Sequence, residues 1–92
     1  MVGYIYRITN IITHQNYIGQ TIDINRRKRK HFSTLRSNTH DNPKLQASWN
    51  KYGEDTFSFS IIEQCSCDKL DNREIYWINY YSSYIDGYNL DL

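Results

Sequence analysis

In two segments of the chain, similar side chains recur at every second residue. This is the pattern of a β-strand whose two faces have different surroundings. The two segments are residues 3–9 and 56–62, and a third short strand is predicted over residues 16–20. The residues predicted to share a face are Tyr4, Tyr6 and Ile8 in the first segment, and Phe57, Phe59 and Ile61, pointing inward, in the second. Because a polar turn separates residues 3–9 from 16–20, these two strands are expected to form an antiparallel hairpin.

Three helices are predicted around these strands from their start and stop signals. They run from near Thr21 or Asp23 to about Ser37, from Pro43, capped by Asn42, to a stop at Gly53, and from about Ser66 or Asp68 to Tyr81. The order is therefore strand, strand, helix, helix, strand, helix. It predicts an α/β (α+β) fold in two layers, a small three-stranded, mostly antiparallel sheet flanked by helices.

The length of 92 residues allows one modest core, so residues 1–92 are expected to form one domain. No apolar stretch approaches the ~20 residues of a membrane-spanning helix, and the first residues do not resemble a secretory signal. Cys65 and Cys67 are one residue apart, a poor arrangement for a disulfide or a zinc site. We therefore expect a reduced cytoplasmic protein without a membrane association, and nothing in the sequence indicates a protein partner.

The charges of the chain are divided unequally between its halves. Residues 1–51 contain nine Lys and Arg against two acidic residues, a net charge of +7, whereas residues 52–92 have a net charge of −6. The densest basic run is Arg26, Arg27, Lys28, Arg29, Lys30 and His31. A charge run is usually a solvated helix face. Arg27 and His31, however, lie one helical turn apart beside a narrow apolar stripe, where a guanidinium could bind a phosphate.

Glu74 and two tyrosines are further candidates, each with a structural alternative. Glu74 falls within the apolar stripe of the last helix, where a carboxylate needs a cation or donors. It is either half of a buried salt bridge or a ligand for a metal such as magnesium. Tyr6 and Tyr17 lie on adjacent predicted strands, and Gly19 follows Tyr17 where a ligand or backbone could approach closely. The tyrosines could equally be packing residues.

Together these features resemble the GIY-YIG nuclease family. The resemblance rests on Tyr4-Ile5-Tyr6, ten intervening residues, Tyr17-Ile18-Gly19, and then Arg27 and His31 on a helix. The stretches at residues 44–63, 72–78 and 86–89 resemble the phage and intron-encoded homing endonuclease branch. In one departure, Tyr4 stands where the family has glycine, and Gly3 is one residue earlier.

The resemblance implies a metal-dependent endonuclease that hydrolyses the phosphodiester backbone of double-stranded DNA with one Mg²⁺ or Mn²⁺ ion. Glu74 would hold the metal, and Arg27 would stabilise charge on the scissile phosphate. One of the two tyrosines would be the general base, with Tyr17 favoured over Tyr6. The other implied residues are His31 as an orienting or relay group, Gly19, His40 and Asn89 as supporting residues, and Arg26, Lys28, Arg29 and Lys30 as DNA contacts.

Other readings remain open at this point. A repair or restriction nuclease of the same family is one, and a non-catalytic nucleic-acid-binding module is another. The homing relatives place target recognition in a separate downstream segment, so such a part is expected to lie beyond residue 92.

Overall fold

The computed structural model describes residues 1–91 and contains a three-stranded antiparallel sheet in the order β2-β1-β3. The strands are β1 (Val2–Asn10), β2 (Asn16–Thr21) and β3 (Phe57–Ser66). Between β1 and β2 the side chain of Asn10 accepts hydrogen bonds from the backbone N–H groups of Ile12 and Thr13. This polar turn closes the predicted hairpin, and β3 pairs with the other edge of β1.

The three helices are α1 (Ile24–Arg36), α2 (Pro43–Tyr52) and α3 (Leu70–Tyr81). Asp23 and Asn42 cap α1 and α2, each accepting a backbone N–H three residues later, and Gly53 ends α2 with φ of 89°. These boundaries confirm the predictions from the caps. The predicted start of α3 was early, because β3 continues to Ser66 and a short 3₁₀ turn precedes the helix. In residues 1–91 no helix has the length and apolar character to cross a bilayer.

The sheet is covered on both faces, so the domain has three layers and the prediction of two was wrong. Successive residues of the central strand point to opposite faces, and Ile5, Tyr6 and Ile8 are all fully buried. One core contains Tyr6, Ile8, Leu35, Leu45, Trp49, Phe57 and Tyr88, under α1 and α2. The other contains Ile5, Ile18, Leu70 and Ile78, under α3.

The predicted inward placement of Ile61 was wrong, and a β-bulge follows this residue in β3. Ile5 pairs with Glu63 and Tyr6 pairs with Ile61, so Ile62 is an extra residue in β3. Ile61 is 51% exposed and belongs to neither core, whereas Ile62 packs against the core beneath α3. Alternation therefore holds through Ile61, which is exposed because it packs against neither core, and the register shifts only at Ile62.

The segment after α3 returns to the outer edge of β2. Ser82 ends the helix in the left-handed conformation, with φ of 53°. The backbone N–H of Tyr88 then donates to the carbonyl of Asn16, and the side chain of Asn89 bonds both the N–H and the C=O of Ile18. Asn89 thus occupies the free edge of β2 as a further strand would.

Candidate active site

A pocket of about 400 Å³ opens at the edge of β2, where side chains of α1 and α3 meet around the strand. Residues of the C-terminal segment close one side of it. Six of the eight catalytic and supporting residues proposed from sequence line this pocket: Tyr17, Arg27, His31, His40, Glu74 and Asn89. Of the four proposed DNA-contacting residues only Lys30 lines it, while Arg26, Lys28 and Arg29 are exposed on α1 outside it. The fold therefore brings together residues that are up to 72 positions apart in sequence.

Tyr6 and Gly19 lie directly behind the pocket wall as a cross-strand pair. Tyr6 is fully buried, and a Cβ atom on Gly19 would clash with its hydroxyl oxygen. The surrounding core leaves the ring no room to move. Gly19 therefore leaves the space in which the Tyr6 phenol passes across the strand, so that its hydroxyl reaches His31.

A chain of hydrogen bonds fixes the tautomers of both histidines. The backbone N–H of Asn42 can only donate, and it donates to Nδ1 of His40 at 2.9 Å. His40 must then carry its proton on Nε2, from which it donates to Nδ1 of His31 at 2.7 Å. His31 in turn donates from Nε2 to the Tyr6 hydroxyl oxygen at 2.6 Å. Tyr6 is therefore an acceptor in this bond, and its own proton is free to point away from His31.

The charge states of these groups follow from their burial. Desolvation, with the nearby charges of His40, Arg27 and Lys30, lowers the pKa of His31 to about 3, so the His31 imidazole is neutral at pH 7. Desolvation raises the pKa of both Tyr6 and Tyr17 above the ordinary value, and Arg27 opposes the shift in each. A phenol here is therefore a base only if more positive charge is brought close to it.

Glu74 is half-buried at the pocket wall, and desolvation is the first cause that raises the pKa of its carboxyl. The ion pairs within residues 1–91 are Arg36–Glu54 and Arg73–Glu63, and Glu74 belongs to neither. Its one hydrogen bond in the same part of the chain comes from Gln20, at 3.3 Å. The alternative of a structural salt bridge with an arginine of α1 is therefore not found, and the carboxylate is available for a cation.

Sequence reasoning missed several residues of the site. Asn42 was recognised as a helix cap, but its backbone N–H also sets the histidine tautomers. Gln20 donates to Glu74, and Asp41 and Asp91 contribute further carboxylates to the pocket wall. No local pattern marks Gln20 or Asp91, because each reaches the pocket residues only in the tertiary fold.

Acid is expected to destabilise the domain through His31. In the unfolded chain a histidine takes up a proton near pH 6.5, whereas folded His31, with a pKa of about 3, does not. The unfolded state therefore binds more protons below pH 6.5, and stability should be lost as the pH falls, by up to about 1.4 kcal/mol per pH unit for one such group. The burial of His40 lowers its pKa too and adds in the same direction.

Urea unfolding at several pH values between 7 and 5, above the range where ordinary carboxyl groups titrate, measures this effect. His31→Gln should flatten the pH dependence. The matched control is His14→Asn, at an exposed turn position with φ of 64° that asparagine tolerates, and it should leave the slope unchanged. A wild-type free energy of unfolding that is constant from pH 7 to 5 would contradict a neutral, buried His31.

The half-buried carboxylate of Glu74, the guanidinium of Arg27 and the phenol of Tyr17 line one pocket beside a basic helix, a set of groups suited to hydrolysis of an anionic substrate. The GIY-YIG catalytic domain matches residues 2–89, and the chain belongs to this family. It is 38% identical to intron-associated endonuclease 1 of Enterobacteria phage T4 over an alignment of 92 positions, which covers 98% of this chain and 37% of that protein.

Solved structures agree with this assignment. The catalytic domain of homing endonuclease I-TevI superimposes with a TM-score of 0.91 at 35% identity, covering 98% of this chain and 99% of that one. A point mutant of the same catalytic domain gives a TM-score of 0.88 at 36% identity, covering 98% and 94%. The predicted fold and the predicted family, including its homing endonuclease branch, are confirmed.

Proposed function

We propose that this chain is a DNA endonuclease domain that hydrolyses phosphodiester bonds with one bound divalent cation, Mg²⁺ or Mn²⁺. The observation that carries the proposal is Glu74, a half-buried carboxylate without an ion-pair partner in residues 1–91. It faces the same pocket as Arg27 and Tyr17. A module that only bound nucleic acid would gain nothing from a carboxylate there, because it repels phosphate.

The residues present fit a hard cation that keeps most of its waters. Residues 1–91 contain no cluster of three His, Cys, Asp or Glu side chains able to form a full metal cage. One carboxylate together with waters and substrate phosphate oxygens is a common ligand set for magnesium. Glu74 would hold the ion, which would supply Lewis-acid stabilisation of phosphate charge and additional positive charge near the phenols.

The chain's own residues then have distinct roles. Tyr17 faces the pocket and would take the proton of the attacking water, where Arg27 and a bound cation would oppose the desolvation that raises its pKa. Arg27 would bind the phosphate and stabilise the charge that develops on it. Tyr6, fully buried and held by His31, would orient the groups around Tyr17. Asn89 would hold β2 in place.

Double-stranded DNA is the proposed substrate. Arg26, Lys28, Arg29 and Lys30 would contact its backbone from α1, beside the pocket mouth. Phosphate contacts of this kind position DNA without reading its sequence. The chain spans 37% of the phage relative, so we propose that residues 1–92 act as a catalytic module. We place this activity in the cytoplasm of a bacterial or phage-infected cell.

The test is incubation of supercoiled plasmid with the protein and Mg²⁺, followed by separation of supercoiled, nicked and linear forms. Wild-type protein should convert the supercoiled form, and a chelator or Glu74→Ala should prevent this. Plasmid that stays supercoiled over a range of Mg²⁺ and Mn²⁺ concentrations, with protein shown to be folded, would contradict the proposed function.

Arg27→Ala is expected to reduce cleavage by about 10²–10³-fold, the cost of removing one preorganised donor to a developing oxyanion. It should reduce DNA binding far less, because neighbouring cations share the nonspecific attraction. Single-turnover cleavage and electrophoretic binding at two salt concentrations separate the two effects. Arg29→Ala, on the same helix but outside the pocket, is the matched control and should change both only slightly. Equal losses of binding and cleavage in Arg27→Ala would make this residue a phosphate anchor only.

A further inference from the structure

Gln20 connects the strand of the active site to the helix that carries the proposed metal ligand. It follows Gly19 on β2, and alternation turns its side chain toward α3. Its amide nitrogen donates to Oδ1 of Asp71 at 2.8 Å and to Oε1 of Glu74 at 3.3 Å. The amide has two N–H groups, so it can serve both carboxylates at once. One neutral side chain therefore holds together two carboxylates from the first turns of α3.

The Gln20 amide contributes an electrostatic interaction in addition to packing, because it donates to two negatively charged side chains. Asp71 and Glu74 lie three residues apart on α3, so their negative charges face the same side of the helix and repel each other. Without the amide, two like charges one helical turn apart would have no shared donor, and the Glu74 side chain would be free to rotate away. With it, Oε1 is fixed, and Oε2 has no hydrogen-bond partner within residues 1–91.

We propose that Gln20 is a positioning residue that orients the Glu74 carboxylate toward the divalent cation and presents Oε2 to it. This inference rests on the proposed function, because it assigns Gln20 a role in binding the same ion. The position of α3 on the sheet does not depend on the hydrogen bond, since Ile18, Leu70 and Ile78 already form the apolar contact between them. Loss of the donor should therefore weaken metal binding without loosening the fold.

The experiment compares Gln20→Met with wild type by titration of Mn²⁺, followed by electron paramagnetic resonance of the free ion in the absence of DNA. Methionine keeps the length and volume of the side chain and removes the donor. The Mn²⁺ dissociation constant should rise about 10-fold or more, as for other residues that orient metal ligands. In cleavage assays the Mn²⁺ concentration for half-maximal rate should rise likewise, while the rate at saturating Mn²⁺ stays close to that of wild type.

Two further variants separate hydrogen bonding from packing. Gln64→Met changes an exposed glutamine of β3 outside the pocket and should bind Mn²⁺ like wild type. Gln20→Ala, which also lacks the donor, should match Gln20→Met in Mn²⁺ affinity, and both should melt within about 2 °C of wild type. If only the alanine variant is weakened, packing is the cause and the proposal is overturned.

The remaining outcomes are also distinguishable. Wild-type affinity in Gln20→Met overturns the role of Gln20 and leaves the proposed function intact. A wild-type protein that binds no Mn²⁺ and cleaves no plasmid overturns the proposed function, and the role of Gln20 with it.

Discussion

Replacing Glu74 with alanine is expected to reduce DNA cleavage by about 10³-fold or more while the protein still folds. A metal ion that stabilises phosphate charge contributes several kcal/mol to the transition state, and each 1.36 kcal/mol is tenfold in rate. The melting temperature should stay the same or rise, because burial raises the pKa of this carboxyl and its charged form is therefore unfavourable in the folded protein. Single-turnover plasmid cleavage and thermal unfolding followed by circular dichroism measure the two effects.

Glu54→Ala is the matched control, because this glutamate is exposed and paired with Arg36 far from the pocket residues. It should cleave at the wild-type rate. A Glu74→Ala protein that cleaves DNA normally would disprove the metal-ligand assignment. A large loss of stability in that variant would show instead that Glu74 has a structural partner, since breaking a buried pair strands the other charge.

Replacing Tyr17 with phenylalanine is expected to have the second-largest effect, a loss of about 10²–10⁴-fold in cleavage rate, the range for a general base. The reason is that Tyr17 lines the pocket, whereas Tyr6 is fully buried behind it. Tyr6→Phe should cost less, because it removes the hydroxyl that accepts from His31 without removing the base. The aromatic ring stays in both variants, so folding should be little affected.

The pH dependence gives an independent measurement of the same role. Burial raises the pKa of Tyr17, so at neutral pH only a minor fraction is deprotonated, and the wild-type rate should rise with pH from 7 to 9. Tyr17→Phe should lose this rise. Tyr80→Phe, at an exposed position of α3, is the control and should keep it. A greater loss in Tyr6→Phe than in Tyr17→Phe would reverse the assignment of the base.

The parts of the fold that the sequence predicts are those decided within a few residues. Asp23, Asn42 and Gly53 mark helix ends through hydrogen bonds or backbone angles that are local. The exposure of Ile61 and the burial of both faces of β1 depend on which elements cover each face, so periodicity alone placed Ile61 wrongly and predicted two layers.

The same distinction applies to the site: residues related by helical spacing were predicted, and contacts between distant parts of the chain were not. The helical spacing of Arg27 and His31 was sufficient to place both at one pocket. The spacing of residues along the sequence does not predict two other features of the site. One is the chain of hydrogen bonds from Asn42 through His40 and His31 to Tyr6, and the other is the contact of Gln20 with Glu74. The second contact joins residues 54 positions apart, and only the tertiary fold creates it.

The bond between Asn89 and Ile18 joins residues 71 positions apart, which has a consequence for the time at which the enzyme becomes active. A ribosome delivers the chain from the N-terminus at roughly 5–20 residues per second. A nascent or prematurely terminated chain without residue 89 already has the basic helix, but the outer edge of β2, which carries Tyr17, is unsecured. Cleavage is therefore expected only once residue 89 has left the ribosome and bonded to β2, whereas the basic helix is synthesised more than 50 residues earlier.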